Sequence, residues 1–145
     1  MIVKDKSIER ACSFYVSDFH LEMMLMPYIN EKIENKENII ITTEKDLDET
    51  VNTVISKMNL KEENKEKILN LGWKQKNNLD IKEKSNIIII GTEQYIKDVN
   101  NKIENSEVEE INVINCYNFE DVKENISGII DSHDTSLNTL GFNKF

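Results

Sequence analysis

Four apolar or β-branched runs, each followed by a segment with helical spacing, give the chain the look of a repeated strand–helix unit. Cys12 to Val16 is a short apolar and aromatic run, and Ile39 to Thr43 is almost wholly β-branched. Between them Phe19, Met23, Met26, Ile29 and Ile33 recur every three or four residues, with Leu21, Leu25 and Tyr28 widening the stripe. That spacing predicts one amphipathic helix over 18–36, started by Ser17 or Asp18 as N-cap. Pro27 falls inside it without the amide that should bond the Met23 carbonyl, so a kink or break is expected there.

Leu47, Val51, Val54, Ile55 and Met58 predict a second helix over 45–59, with Thr43 as a candidate cap and Asp46, Asp48 and Glu49 favoured near its positive end. Over 60–86 the pattern weakens. A solvated helical face, Lys61 to Lys67, leads to Ile68, Leu69 and Leu71, and Gly72 is a natural stop before Trp73. Residues 74–85 read as a polar loop with a short irregular piece around Leu79 and Ile81.

Asn86 to Gly91 is a continuous Ile run, apolar on both faces, as in a parallel strand covered by helices on two sides. A helix over 92–105 follows, with Tyr95, Ile96, Val99 and Ile103 on one side. The strand Ile111 to Tyr117 alternates more, with Asn112 and Asn115 among apolar residues, which places it nearer a sheet edge. A last helix is expected over 120–133, and the tail 134–145 carries Leu137, Leu140, Phe142 and Phe145, either docked on the domain or a partner or left flexible. The fold class is therefore α/β: one domain over 1–145 with three layers, a mostly parallel sheet of four to five strands and helices on both faces. No internal repeat is present.

The run FY, a short polar turn, an apolar helix containing LMPYI, then EKIENKEN and III resembles the opening of the MEDS domain, the methanogen/methylotroph sensory domain related to RecA-like ATPases. Asn115-Cys116-Tyr117-Asn118 and the later Ile130-Asp131-Ser132-His133 resemble that family's closing strand and helix, with Asn118 in place of its acidic residue; Gly91-Thr92-Glu93 resembles its Gly-Glu after a middle strand. The resemblance covers both ends of the chain and little of the middle. It implies a degenerate RecA-like fold and a sensory, non-catalytic role.

The formal charge is −9, from 27 acidic and 18 basic residues, which opposes binding to nucleic acid or an anionic membrane. Arg10 is the sole arginine and the lysines are scattered among glutamates, so no basic patch forms. The longest aliphatic run, Ile87 to Ile90, is far short of a membrane span, and the opening residues lack a signal-type apolar region, so a cytoplasmic site is expected. Cys12 and Cys116 stand alone in strands and are expected to be buried and reduced.

Nucleotide hydrolysis needs a glycine-rich loop whose amides surround phosphates. Here the first strand leads into Ser17-Asp18-Phe19-His20, where Asp18 would repel a phosphate, and the chain has only four glycines. His20 and His133 lack a second histidine at i+3 or i+4, so a metal site has no support, and helix-terminal hydrogen bonds explain both. The serines lack a nucleophile-elbow setting. No enzyme activity and no cofactor are expected.

Ligands of open parallel sheets bind where loops converge beyond the carboxyl ends of the strands. Asp18, His20, Thr43, Glu93, Tyr117 and Asn118 lie there and are the candidate ligand-binding residues. The expected role is a sensory or regulatory module that meets a small molecule or a regulatory protein, as the resemblance implies. The competing reading is an interaction or structural protein without a ligand, acting through acidic helices or the apolar tail; a homodimer fits either.

Overall fold

The computed structural model of the chain describes residues 6–75 and 79–144. The first five residues, part of the 74–85 loop and Phe145 of the tail lie outside them. Six strands form one sheet: β1 (Ser7–Tyr15), β2 (Ile39–Thr43), β3 (Ser85–Ile90), β4 (Glu110–Asn118), β5 (Thr135–Asn138) and β6 (Gly141–Lys144). Their order is β2-β3-β4-β1-β5-β6, parallel throughout except for the antiparallel pair β5 and β6. The expected α/β sheet is thus present with one or two strands more than anticipated, because tail residues pair as a hairpin on the edge of β1.

Side chains alternate across the strands and divide the core into two layers. On one face Ile41, Ile88, Ile90, Ile114 and Tyr15 pack against α1 (Asp18–Glu34), α2 (Asp48–Lys57) and α3 (Glu62–Asn70). On the other Cys12, Ile87, Ile89, Val113 and Tyr117 pack against α4 (Glu93–Glu104), α5 (Phe119–Val122) and α6 (Ile126–Asp131). The whole of β3 is buried, as the two-sided Ile run requires. No helix among the described residues is long and apolar enough to cross a membrane.

Several local expectations are corrected. Helix α1 runs unbroken through Pro27, which lies exposed beside the exposed Met23, so the break expected there is absent. Strand β4 is not near an edge: β3 and β1 flank it, and its asparagines face protein groups rather than solvent. Thr43 does not cap α2; its hydroxyl donates to the Lys45 carbonyl at 2.9 Å, and the helix starts only at Asp48, without a side-chain cap. The single last helix is two short ones, interrupted around Asn125 in a stretch where Asn, Ser and Gly are weak helix formers.

Other signals match their elements. Ser17 caps α1, accepting from the His20 amide at 3.1 Å, and Thr92 caps α4. Gly72 takes the left-handed φ of 88° after α3, which lets the chain turn Trp73 into the core, where its indole donates to the Ile68 carbonyl at 2.9 Å.

Candidate functional site

The six candidate residues all lie at the carboxyl ends of β1 to β4, but the sheet separates them instead of assembling one site. Asp18 and Thr43 belong to the α1–α2 side, where Asp18 is ion-paired with Lys45 and the Lys45 ammonium sits 5.0 Å from the Tyr15 ring centre. Burial opposes the charge on Lys45, yet the Asp18 and Tyr15 contacts outweigh it and hold the ammonium above its ordinary pKa. Thr43 is fully buried and its hydroxyl serves the chain reversal after β2. His20 is committed locally: its Nδ1 accepts from the Val16 amide at 3.0 Å. Asn118 caps α5 through the Glu120 amide at 3.0 Å. Gly91 serves packing, since a Cβ there would come within 2.6 Å of Tyr95 and 2.9 Å of the Glu44 carboxylate.

Glu93 and Tyr117 are brought together, on the opposite face. They line the upper end of an open groove of about 540 Å³ between α4 and α6, which continues down β4 and β1 past Asn115 and Asn100 to Arg10. Its floor is one hydrogen-bonded chain. The Arg10 Nε donates to Asn100 Oδ1 at 3.0 Å, Asn100 Nδ2 donates to Asn115 Oδ1 at 3.0 Å, and Asn115 Nδ2 lies 2.9 Å from His133 Nε2. His133 Nδ1 then lies 2.5 Å from the Ile129 carbonyl.

Donor and acceptor roles follow from the two ends. Arginine only donates and a carbonyl only accepts, so every amide between them is oriented and His133 must carry its proton on Nδ1. A second proton, on Nε2, would face the Asn115 amide N–H, and flipping Asn115 would set two amide donors against each other at Asn100. The network therefore favours neutral His133. Burial, with help from the Arg10 charge, pushes its pKa below the ordinary value against the pull of the Ile129 carbonyl and Asp134.

At the groove's upper end Tyr117 stacks on Phe14 at 5.9 Å and meets His133 edge-on at 6.0 Å. Burial above all, then the Cys12 thiol and the Glu93 carboxylate, raise the Tyr117 phenol well above its ordinary pKa, so it is a hydroxyl donor and not a phenolate. Glu93 accepts from Asn125 Nδ2 at 3.2 Å. At the lower end the Arg10 guanidinium bonds Glu104 at 2.8 Å. Ser132 lies 3.1 Å from His133 Nδ1, but that nitrogen already donates to Ile129, so it cannot serve as a base for the hydroxyl. The arrangement is suited to holding a polar molecule by oriented donors and acceptors.

A second unusual group lies on the α1–α2 side. Glu22 is fully buried, with one carboxylate oxygen accepting from the Thr50 hydroxyl at 2.6 Å and the other without a partner. Burial pushes its pKa up to about 7, with Asp18 adding to the rise and the Thr50 bond and Lys45 opposing it.

Arg10, Asn100 and Asn115 were not foreseen as site residues, because their partners lie 90 and 15 residues apart in sequence. The one available signal was compositional: the sole arginine, and two asparagines inside an otherwise apolar strand. Among the described residues no group of three or more His, Cys, Asp or Glu side chains is arranged to hold a metal ion. Comparisons with protein-family models, with curated proteins and with solved structures found no match.

Proposed function

We propose that the chain is a non-enzymatic sensory or regulatory module that binds a small polar ligand in the α4–α6 groove. The observation that carries this reading is the one-way hydrogen-bonded chain from Arg10 to His133, which fixes amide, imidazole and guanidinium groups along a groove of about 540 Å³, within the size range of small-molecule sites. Polar groups held this rigidly add specificity without loss of side-chain freedom on binding. The lack of an activated nucleophile beside them fits binding rather than turnover, as does the sensory role implied by the resemblance to the MEDS domain.

Amide NMR of the whole chain, titrated with mixtures of polar metabolites, tests the reading. The expected outcome is a set of shifts confined to Tyr117, Asn115, His133 and their neighbours, with no ATP or GTP turnover in the same preparation. Turnover that survives further purification, or the absence of any groove-centred shift, would overturn it.

A second reading, a protein-interaction module, is favoured by one feature. Val16, Phe19 and Met23 are 66, 50 and 54% exposed. Phe19 and Met23 line an apolar hollow of about 280 Å³ with Val54 and Met58 of the α2 region. Exposed large apolar groups gathered in one place mark interaction surfaces. Shifts confined to that hollow on addition of cell extract, with none in the groove, would favour this reading.

A further inference from the structure

Resting on the groove reading, we infer that the ligand is a small extended zwitterion, its carboxylate seated on Arg10 and its ammonium on Glu93. Arg10 is the only arginine of the chain, and its guanidinium is held in place through Nε by Asn100 while a second nitrogen faces outward. A planar fork fixed along one edge is a receptor for a carboxylate. In the free protein that position is taken by the carboxylate of Glu104, the last residue of α4, whose side chain is 57% exposed. An exposed ion pair of this kind contributes little, so Glu104 is an arm that a ligand carboxylate can displace.

The other end has the opposite chemistry. Glu93 is exposed, accepts one bond from Asn125 and lines the groove together with Tyr117, so it presents negative charge there. Glu93 stands on α4, and Arg10, carried by β1, is tied to the same helix at Asn100; the step of seven residues from Glu93 to Asn100 rises about 10 Å at the helical rise per residue. An extended chain of three residues spans about the same length. Between the ends Asn115 keeps one amide N–H beyond its bond to His133, which can meet a carbonyl of such a ligand, and Lys97 lines the groove one turn past Glu93.

Calorimetric titration of the whole chain with triglycine, N-acetyl-triglycine and triglycine amide, with amide NMR of the same mixtures, tests the inference. Triglycine is expected to bind with shifts at Arg10 and Tyr117, and each capped form to bind about tenfold more weakly, the loss of one charge-assisted contact. Glu104→Gln should tighten triglycine binding by removing the internal competitor, and Glu93→Gln should abolish the difference between triglycine and its acetylated form. Equal binding of all three peptides, or weaker binding to Glu104→Gln, would overturn the inference. A neutral polyol that shifts the groove residues while triglycine does not would overturn it and leave groove binding standing. Absence of shifts with every ligand class would retire both.

Discussion

Glu22 should make the stability of this protein fall as the pH rises from 4.5 to about 7, and Glu22→Gln should remove that slope. The carboxyl is buried between α1 and α2 with one oxygen unpaired, and its pKa rises from the ordinary 4.5 to about 7. A raised folded-state value means that the unfolded chain releases the proton first. Below pH 4.5 both states are protonated and Glu22 makes no pH-dependent difference. Between 4.5 and about 7 the cost of keeping the proton site buried grows, and above 7 it is complete. At 1.36 kcal/mol per pH unit the interval corresponds to about 3 kcal/mol. The Gln side chain still accepts from Thr50, and its amide takes the position of the unpaired oxygen, a cost that does not change with pH. The quantity to compare is therefore the difference in urea unfolding free energy between variant and wild type at pH 5, 6, 7 and 8. That difference should move in the variant's favour by about 2 to 3 kcal/mol across the series. A flat difference, or one that moves the other way, would refute the assignment of a buried, proton-bearing Glu22.

Asn115→Asp should raise the His133 pKa above 6.5, because a carboxylate replaces the amide donor facing Nε2; imidazole NMR titration reads this, and an unchanged midpoint would show that the chain does not orient His133. In the wild type the depressed value predicts lost stability as pH falls below 6.5. Ile88→Ala, in the fully buried β3, should cost about 2 to 5 kcal/mol by chemical denaturation, and Ile40→Ala, at the one half-buried position of the edge strand β2, clearly less. Cys12, its thiol pushed up to about 11 by burial, and Cys116, pushed higher still, should resist thiol reagents until denaturant is added.

The core was legible where apolar residues announce themselves: the Ile runs of β2 and β3 needed no tertiary information, whereas the predicted stripe of α1 was centred wrongly, since Phe19 and Met23 are exposed and Leu21, Met24, Leu25 and Tyr28 join Met26 and Ile29 on the buried face. Legibility failed where polar residues are buried against one another. Asn112 and Asn115 make β4 look like an edge strand, yet Asn112 donates to Asn86 at 3.1 Å and Asn115 is part of the groove floor. Ser7-Ile8-Glu9-Arg10 extends β1 beyond its apolar part because β4 supplies a parallel partner along its whole length, a demand local propensity does not contain. The hairpin of β5 and β6 is equally silent, since a short polar edge strand reads as loop. Of the candidate site, Glu93 and Tyr117 followed from position at strand ends, and the rest required knowing which face of the sheet each loop turns toward.

The placement of β1 also bears on how the molecule comes into being. Its two neighbours are β4 and β5, and the contact between Arg10 and Asp134 closes a loop of 124 residues. Until those later strands exist, the first strand and its buried Ala11, Cys12 and Tyr15 have no sheet to join, while β2 and β3 can pair across a much shorter loop. Assembly is expected to begin in the middle of the chain and to draw its start in last, which makes folding slow for the protein's size and leaves no independently stable first half. Cleavage anywhere between β1 and β4 would therefore release both pieces to unfold.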